Sequence, residues 1–385
     1  MRRYSVLVIP SLALFVLMPK LMLSLVGEEP RPVRTRPQAE KSSCDRGLKL
    51  AASAKPAAAL PYLKSCQQAL AGATAVDNPT LWSLAEAFMK LEKFEEATKV
   101  LSLIRDPSLE ARRQKMLGMS YAKASRTDDA IQCFRKAISL EPGDAETHFN
   151  LGVLLAGKKE VDLALSELGE AVNMNPDESK YALGLAEALL GGKRYPVAIE
   201  FLKAVGPRFE NLAQYHYTLG LAYYGQRNAP SAIEEMEKAA QLDPQMEAAF
   251  YFIGNAFALA EQYEKADEAY RKAIAINPNH APYYSRMALI AEKLGNTDGV
   301  IENLRQVVRL SPDDVSTQLN LAKTLSKTGH LPEAIEQLKA AVQKAPAYKE
   351  AYYLLASYSR QLGDTKAADA YIETYRQLAA KPSSK

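Results

Sequence analysis

The chain has 385 residues, 48% of them hydrophobic and 24% charged, with a formal net charge of +3. Apolar material is ample for a core, and the length suits two or three ordinary domains or one elongated array. The surplus of positive charge belongs to the first 43 residues (Arg2, Arg3, Lys20, Arg31, Arg34, Arg36 and Lys41 against Glu28, Glu29 and Glu40), so the remaining body is close to neutral. It lacks the basic footprint that phosphate backbones require, and nucleic acid is not an expected partner.

The chain opens on an export pattern. Arg2 and Arg3 precede an apolar stretch from Tyr4 to Pro19, Lys20 interrupts it, and Leu21 to Val26 is apolar again. A charged start followed by a short apolar run reads as a secretory signal. Tyr4–Val26 is also long enough, at 23 residues, to act as an uncleaved membrane anchor, against which Pro10, Pro19 and Lys20 weigh. Residues 1–27 are therefore expected to be a signal peptide or N-terminal anchor, with the cleaved signal favoured. Either way the body is expected outside the cytoplasm, periplasmic or otherwise extracytoplasmic. Residues 28–43, EEPRPVRTRPQAEKSS, form a Pro-rich linker, extended and unable to build a core.

Residues 44–77 read as an N-terminal helical hairpin cap turning near Lys55-Pro56. Cys44 and Cys66 stand equally far from Lys55, so they face each other in an antiparallel hairpin. A Cys44–Cys66 disulfide is expected in an exported body, the alternative being two independent buried thiols. Cys133, beside Phe134, reads as a partly buried thiol rather than a nucleophile.

From residue 78 a repeat takes over. Pro142, Pro176, Pro244, Pro278, Pro312 and Pro346 are spaced by 34 residues or twice that. Ala130, Ala164, Ala198, Ala232, Ala266, Ala334 and Ala368 keep the same step, as do Leu-Gly, Ile-Gly and Leu-Ala pairs such as Leu117-Gly118, Leu219-Gly220 and Ile253-Gly254. Composition bias alone does not phase-lock several residue types to one period. Within each unit, apolar residues recur at three- and four-residue steps on both sides of a turn, giving two helices. Gly295, Gly329 and Gly363 mark where first helices end. Pro196, Pro230 and Pro332 open second helices. Gly118, Gly152, Gly220 and Gly254 make room for the paired helix, with Tyr121 against Phe134 and Phe257 against Tyr270 as interlocking partners. Such a pair buries its apolar face only by stacking on neighbours.

These features resemble the tetratricopeptide repeat (TPR) family, with HYTLGLAYY (216–224) and FYFIGNAFA (250–258) nearest its first-helix pattern. The resemblance implies an all-α, right-handed superhelical solenoid of antiparallel helix pairs. About nine units fill residues 78–382, beginning near 78, 111, 145, 179, 213, 247, 281, 315 and 349, and 383–385 are a tail. The fourth unit departs most: Gly206-Pro207 is expected to shorten its second helix, and Glu210 replaces the closing proline. The family fold is specific, whereas function within it is not.

The resemblance also implies a groove lined by first helices. Its expected lining is Trp82, Phe149, Tyr217, Tyr224, Tyr251, Asn255 and Tyr353, centred on units five and six, for an extended or helical peptide with apolar side chains. The competing reading has some of these rings packing only between neighbouring units. Two narrower family modes are not expected. Met119 stands where a carboxylate clamp needs asparagine, and the asparagine ladder of O-linked N-acetylglucosamine transferase arms is kept at Asn150 and Asn320 but broken at Met116, Gly184, Thr218, Phe252, Arg286 and Leu354.

No catalytic constellation, cofactor motif or metal motif stands out. His148 and His216 share one repeat slot with Phe250 and Tyr284, which reads as a packing slot rather than a metal site; His280 and His330 fall at junctions and turns. The expected function is a non-enzymatic scaffold or adaptor in the cell envelope or secretory space that binds a partner peptide or protein. The alternative is a substrate-docking subunit for an enzyme, such as a glycosyltransferase or protease, with the chemistry on another chain.

Overall fold

The computed structural model describes residues 36–53, 56–71 and 78–380. The signal or anchor segment, the linker up to residue 35 and the tail lie outside the described residues. Among the described residues no helix is long and apolar enough to cross a membrane. Every regular element described is helical, and the chain divides into two bodies, Met1–Leu109 and Glu110–Lys385.

The first body holds α1 (Arg36–Ala51), α2 (Leu60–Ala71), α3 (Asn78–Lys90) and α4 (Phe94–Leu101), with a 3-10 turn at Pro56–Ala59 leading into α2. α1 begins inside the stretch expected to be extended linker. Beyond Pro37, which a first helical turn tolerates, that stretch contains no further proline to stop a helix. Cys44 on α1 and Cys66 on α2 are joined as a disulfide with Cα atoms 4.9 Å apart, and both are buried. Gly47 lets α1 close on Leu63, where a Cβ would come within 2.9 Å of the leucine side chain. Gln67 Nε2 donates to the Glu96 carbonyl at 3.3 Å, tying α2 to α4. Leu81, Leu84, Phe88, Val100 and Leu101 complete the core between α3 and α4.

The second body is a run of eight helix pairs: α5 (Glu110–Lys123) with α6 (Thr127–Leu140), α7 (Ala145–Gly157) with α8 (Val161–Met174), α9 (Ser179–Gly191) with α10 (Tyr195–Phe209), α11 (Ala213–Gly225) with α12 (Ala229–Leu242), α13 (Glu247–Leu259) with α14 (Tyr263–Ile276), α15 (Ala281–Lys293) with α16 (Thr297–Leu310), α17 (Val315–Lys327) with α18 (Leu331–Lys344), and α19 (Lys349–Gln361) with α20 (Thr365–Ala380). Helices pair within hairpins, and each second helix packs on the next first helix. The nine described hairpins, counting α3–α4 as the first, turn through a left-handed residue at one slot: Glu92, Ser125, Lys159, Lys193, Arg227, Glu261, Gly295, Gly329 and Gly363. Only the last three are glycine, which adopts that conformation without the Cβ penalty.

The glycines of the Leu-Gly pairs do what their size suggests. A Cβ on Gly118 would sit 2.7 Å from the Phe134 ring, on Gly152 2.6 Å from Leu168, on Gly220 2.6 Å from Met236 and on Gly254 2.6 Å from the Tyr270 ring. Phe134, Leu168, Met236 and Tyr270 are all fully buried, so each second helix plugs a large side chain onto a glycine.

The fourth hairpin departs from its neighbours, though not as the sequence suggests. α10 is not shortened: it runs to Phe209 with Pro207 inside it. Proline there removes one intrahelical bond, while neighbouring tertiary contacts hold the helix end. The Tyr215 hydroxyl donates to the Leu202 carbonyl at 3.2 Å and lies against Gly206, where a Cβ would be 2.7 Å from it. α9 compensates for a thinner interface with α10 by direct packing on α7 and α11.

Candidate protein-binding face

The first helices α7, α9, α11, α13 and α15 carry the side chains from which a binding face can be built. The expected groove residues separate into groups. Trp82 is 6% exposed and belongs to the core of the first body. Asn255 is 7% exposed, and its Oδ1 accepts a hydrogen bond from the Tyr270 hydroxyl at 2.8 Å. Both are therefore corrected from lining to core: Trp82 because its side chain is almost wholly covered, Asn255 because it turns inward to satisfy a buried phenol that would otherwise lose its partner.

Tyr217, Tyr224 and Tyr251 come together, each half-buried, around Phe252. Ring centroids lie 5.9 Å apart for Tyr217–Phe252, 5.8 Å for Tyr224–Phe252 and 5.2 Å for Tyr251–Phe252, all edge-to-face. Tyr251 also stacks at 5.1 Å on Tyr283 of α15. Burial, reinforced by Glu187 and Glu247, pushes the Tyr217 phenol up, and burial with Glu247 close by raises that of Tyr283 to about 12. Tyr217 and Tyr283 therefore stay neutral hydrogen-bonding groups across the physiological range.

Phe149 stands apart from that cluster. Its ring is 5.2 Å from Tyr181, and Lys180 Nζ lies 4.6 Å above it. It borders a pocket of about 720 Å³ between α7, α8 and α9, walled by Val153, Val161, Leu183 and Ala188, with Glu187 at its rim. Gly184 lies on the pocket wall, in the slot where other first helices carry Asn150, Thr218 or Phe252, and its missing Cβ lets the Phe149 ring lie against α9. A Cβ there would meet the Phe149 ring at 2.6 Å. Val153 is 45% exposed, an apolar side chain left to solvent on this wall. Tyr353, also exposed, lies on α19 beside Tyr375, with ring centroids 5.7 Å apart, and is not part of the Tyr217–Tyr251 cluster.

Sequence reasoning passed over Phe252, Glu187 and Arg286. Phe252 and Arg286 occupy the slot that precedes the Leu-Gly pair, so their departure from asparagine was the available signal that this slot points away from the hairpin interior. Arg286 is exposed, and its Nε donates to the Tyr251 hydroxyl at 3.4 Å. That hydrogen bond is the leading reason its guanidinium is held above its ordinary range.

His148 and His216 are buried and structural. Each spans its hairpin: Nδ1 meets Glu167 at 2.7 Å or Glu235 at 2.6 Å on the second helix, and Nε2 meets the carbonyl of Pro142 at 3.1 Å or Glu210 at 2.8 Å in the preceding turn. Gln318 and Tyr284 make the same reach to Pro312 and Pro278, so the slot serves as a polar tie between units. Burial, helped by Asp129, pushes the Cys133 thiol up and disfavours a reactive thiolate. Among the described residues no cluster of His, Cys, Asp and Glu is placed to hold a metal ion.

Stacked antiparallel helix pairs on a 34-residue period, with aromatic side chains along the first helices, define an α-helical repeat protein of the solenoid class. Family models described as tetratricopeptide repeat match residues 115–172, 161–209, 213–246, 248–280, 291–358 and 349–380. The chain belongs to the tetratricopeptide repeat family, whose members serve as protein-interaction scaffolds. Among curated proteins none matches the chain. Similar solved structures include PilF of Pseudomonas aeruginosa (20% identity, 56% of this chain and 98% of that one, TM-score 0.46). YrrB, described as a TPR protein with an unusual peptide-binding site, shows 18% identity over 46% of this chain and 91% of its own, with a TM-score of 0.40. The human IFIT1 dimer with m7Gppp-AAAA shows 14% identity over 87% and 89%, with a TM-score of 0.43.

Proposed function

We propose that this chain is an exported, non-enzymatic scaffold that holds a partner protein against the first helices of its second body, in service of assembling a complex in the cell envelope or secretory space. The observation that carries the reading is the continuity of binding-type surface on α7 to α13: an apolar pocket of about 720 Å³ is followed by the half-buried ring cluster of Tyr217, Tyr224, Tyr251 and Phe252. Aromatic rings supply contact area with little loss of side-chain freedom, and tyrosine adds a hydrogen-bonding tip. Export is supported by the charged-then-apolar start of the sequence and by the buried Cys44–Cys66 pair, which suits an oxidising compartment.

Crosslinking and pull-down of the full chain from its native compartment identify the partner. Tyr217→Ala with Tyr251→Ala is expected to abolish that capture while helical content is retained; undiminished capture by the folded double variant refutes the binding face. N-terminal sequencing and thiol mass mapping of native material test export: a chain found in the cytoplasm with Cys44 and Cys66 both free overturns that part.

A further inference from the structure

Four successive first helices place one side chain each along a line across the second body: Glu187 on α9, Tyr217 on α11, Tyr251 on α13 and Arg286 on α15. The middle of the line is the ring contact Tyr217–Phe252–Tyr251. Its two ends are opposite charges without counter-ions. Among the described residues Glu187 makes no ion pair, and Arg286 has no carboxylate partner, only the long hydrogen bond to the Tyr251 hydroxyl. Both are exposed. On two other first helices, α5 and α17, half-buried lysines reach acids of the next hairpin: Lys115 meets Asp144 and Glu146, and Lys323 meets Glu350.

The other charges near the line are accounted for. Glu247 lies in the first turn of α13, where the helix dipole favours an acid. Of the two lysines that line the pocket with Glu187, Lys180 sits over the Phe149 ring and Lys159 forms the left-handed turn of the third hairpin; among the described residues neither pairs with Glu187. The apolar pocket opens beside Glu187, and its walls raise the Glu187 carboxyl pKa by desolvation. An acid in that position gains from an incoming cation, and no described residue supplies one.

We propose that this line is a polar-ended docking strip for an extended segment of a partner protein carrying a basic residue with an apolar neighbour at the Glu187 end, small or apolar residues over Tyr217 and Tyr251, and an acidic residue at the Arg286 end. The proposal rests on the scaffold reading and adds to it the chemistry and the direction of the ligand. Adjacent packed helices lie roughly 10 Å apart, so three steps from α9 to α15 span roughly 30 Å. At about 3.3 Å per residue, an extended segment of about nine residues covers that length.

The test uses the full chain and four fluorescein-labelled ten-residue peptides with one shared leucine, alanine and serine centre. The peptides differ only at their ends: one arginine and one glutamate, two arginines, two glutamates, or two serines. Fluorescence anisotropy at low ionic strength is expected to rank the mixed-end peptide first, with each mismatched end weakening binding about threefold to fivefold. Glu187→Arg is expected to move the preference to the two-glutamate peptide, and Arg286→Glu to the two-arginine peptide. Both side chains are exposed, and circular dichroism checks that the variants keep the wild-type helix content. Equal binding of all four peptides, no measurable binding of any, or charge variants that do not exchange their preferences overturns the strip. Loss of native-partner capture in the Tyr217/Tyr251 double variant together with any of those results removes the strip and leaves the scaffold reading in place.

Discussion

The fourth and sixth hairpins place glycine in different slots of the first helix, with different consequences. In the sixth, Gly254 belongs to the Ile-Gly pair and takes the buried Tyr270 ring of its own hairpin, whose hydroxyl then donates to Asn255. In the fourth, Ala186 fills that slot, and Gly184, two residues earlier, takes the Phe149 ring of the preceding hairpin on the wall of the pocket. One glycine seats a fully buried ring within its own hairpin, and the other seats a half-buried ring from the hairpin before it. The fourth hairpin also carries Pro207 within α10 and has the thinner pairing between its helices. A repeat array distributes stability unit by unit, and the binding-type pocket lies beside the hairpin of the second body whose two helices pair most thinly with each other.

The largest test of this contrast is Tyr270→Ala. It empties a fully buried site and is expected to cost the sixth hairpin about 3–5 kcal/mol, read as lost amide protection across α13 and α14. A cost below 1 kcal/mol there would break the comparison. The two glycines come next. Gly254→Ala forces a Cβ onto a ring with no room to retreat and is expected to cost about 1–3 kcal/mol. Gly184→Ala meets only the half-buried Phe149 ring, and the gain in helix propensity of about 1 kcal/mol offsets that contact. It is expected to leave urea unfolding nearly unchanged.

Lys193→Gly sharpens the contrast from the turn. Lys193 holds φ +57°, where an L-residue is strained, so glycine is expected to stabilise the fourth hairpin by about 1 kcal/mol. The reverse change, Gly295→Lys at φ +70°, is expected to destabilise by a similar amount.

The smallest effect lies outside both hairpins and serves as a reference. Lys136 at 2.7 Å, with Gln114 and Arg113, holds the Glu110 carboxyl down to about 2 from the ordinary 4.5. A depressed carboxyl contributes stability that is present above the ordinary value and lost as pH falls toward the depressed one. Acid titration of the melting temperature is therefore expected to show a loss between about pH 4.5 and 2 that Glu110→Gln reduces, whereas the Lys193→Gly gain stays constant over that window.

The hairpins themselves were legible because their interiors repeat. Gly118, Gly152, Gly220 and Gly254 each meet the large residue that the 34-residue pattern supplies from the second helix. Helix ends were less legible. Six left-handed turn residues are not glycine and give no local sign of that conformation. Gly206-Pro207 looked like a helix stop, yet Tyr215 of the next hairpin holds that turn of α10 together. Among the groove residues, Tyr217, Tyr224 and Tyr251 gather on one face, while Trp82 and Asn255 are consumed by their own cores.

The sequence by itself determined the repeat, the pairing of helices and the family, because hairpin packing depends on residue types in slots a fixed number of positions apart. Only the tertiary structure decided which first-helix side chains remain available to a partner. That depends on how three or four successive hairpins cover one another. Asn255 turned inward to Tyr270, Gly184 took the Phe149 ring beside a pocket, and Glu187 and Arg286 were left at opposite ends of a row of rings, without counter-ions among the described residues.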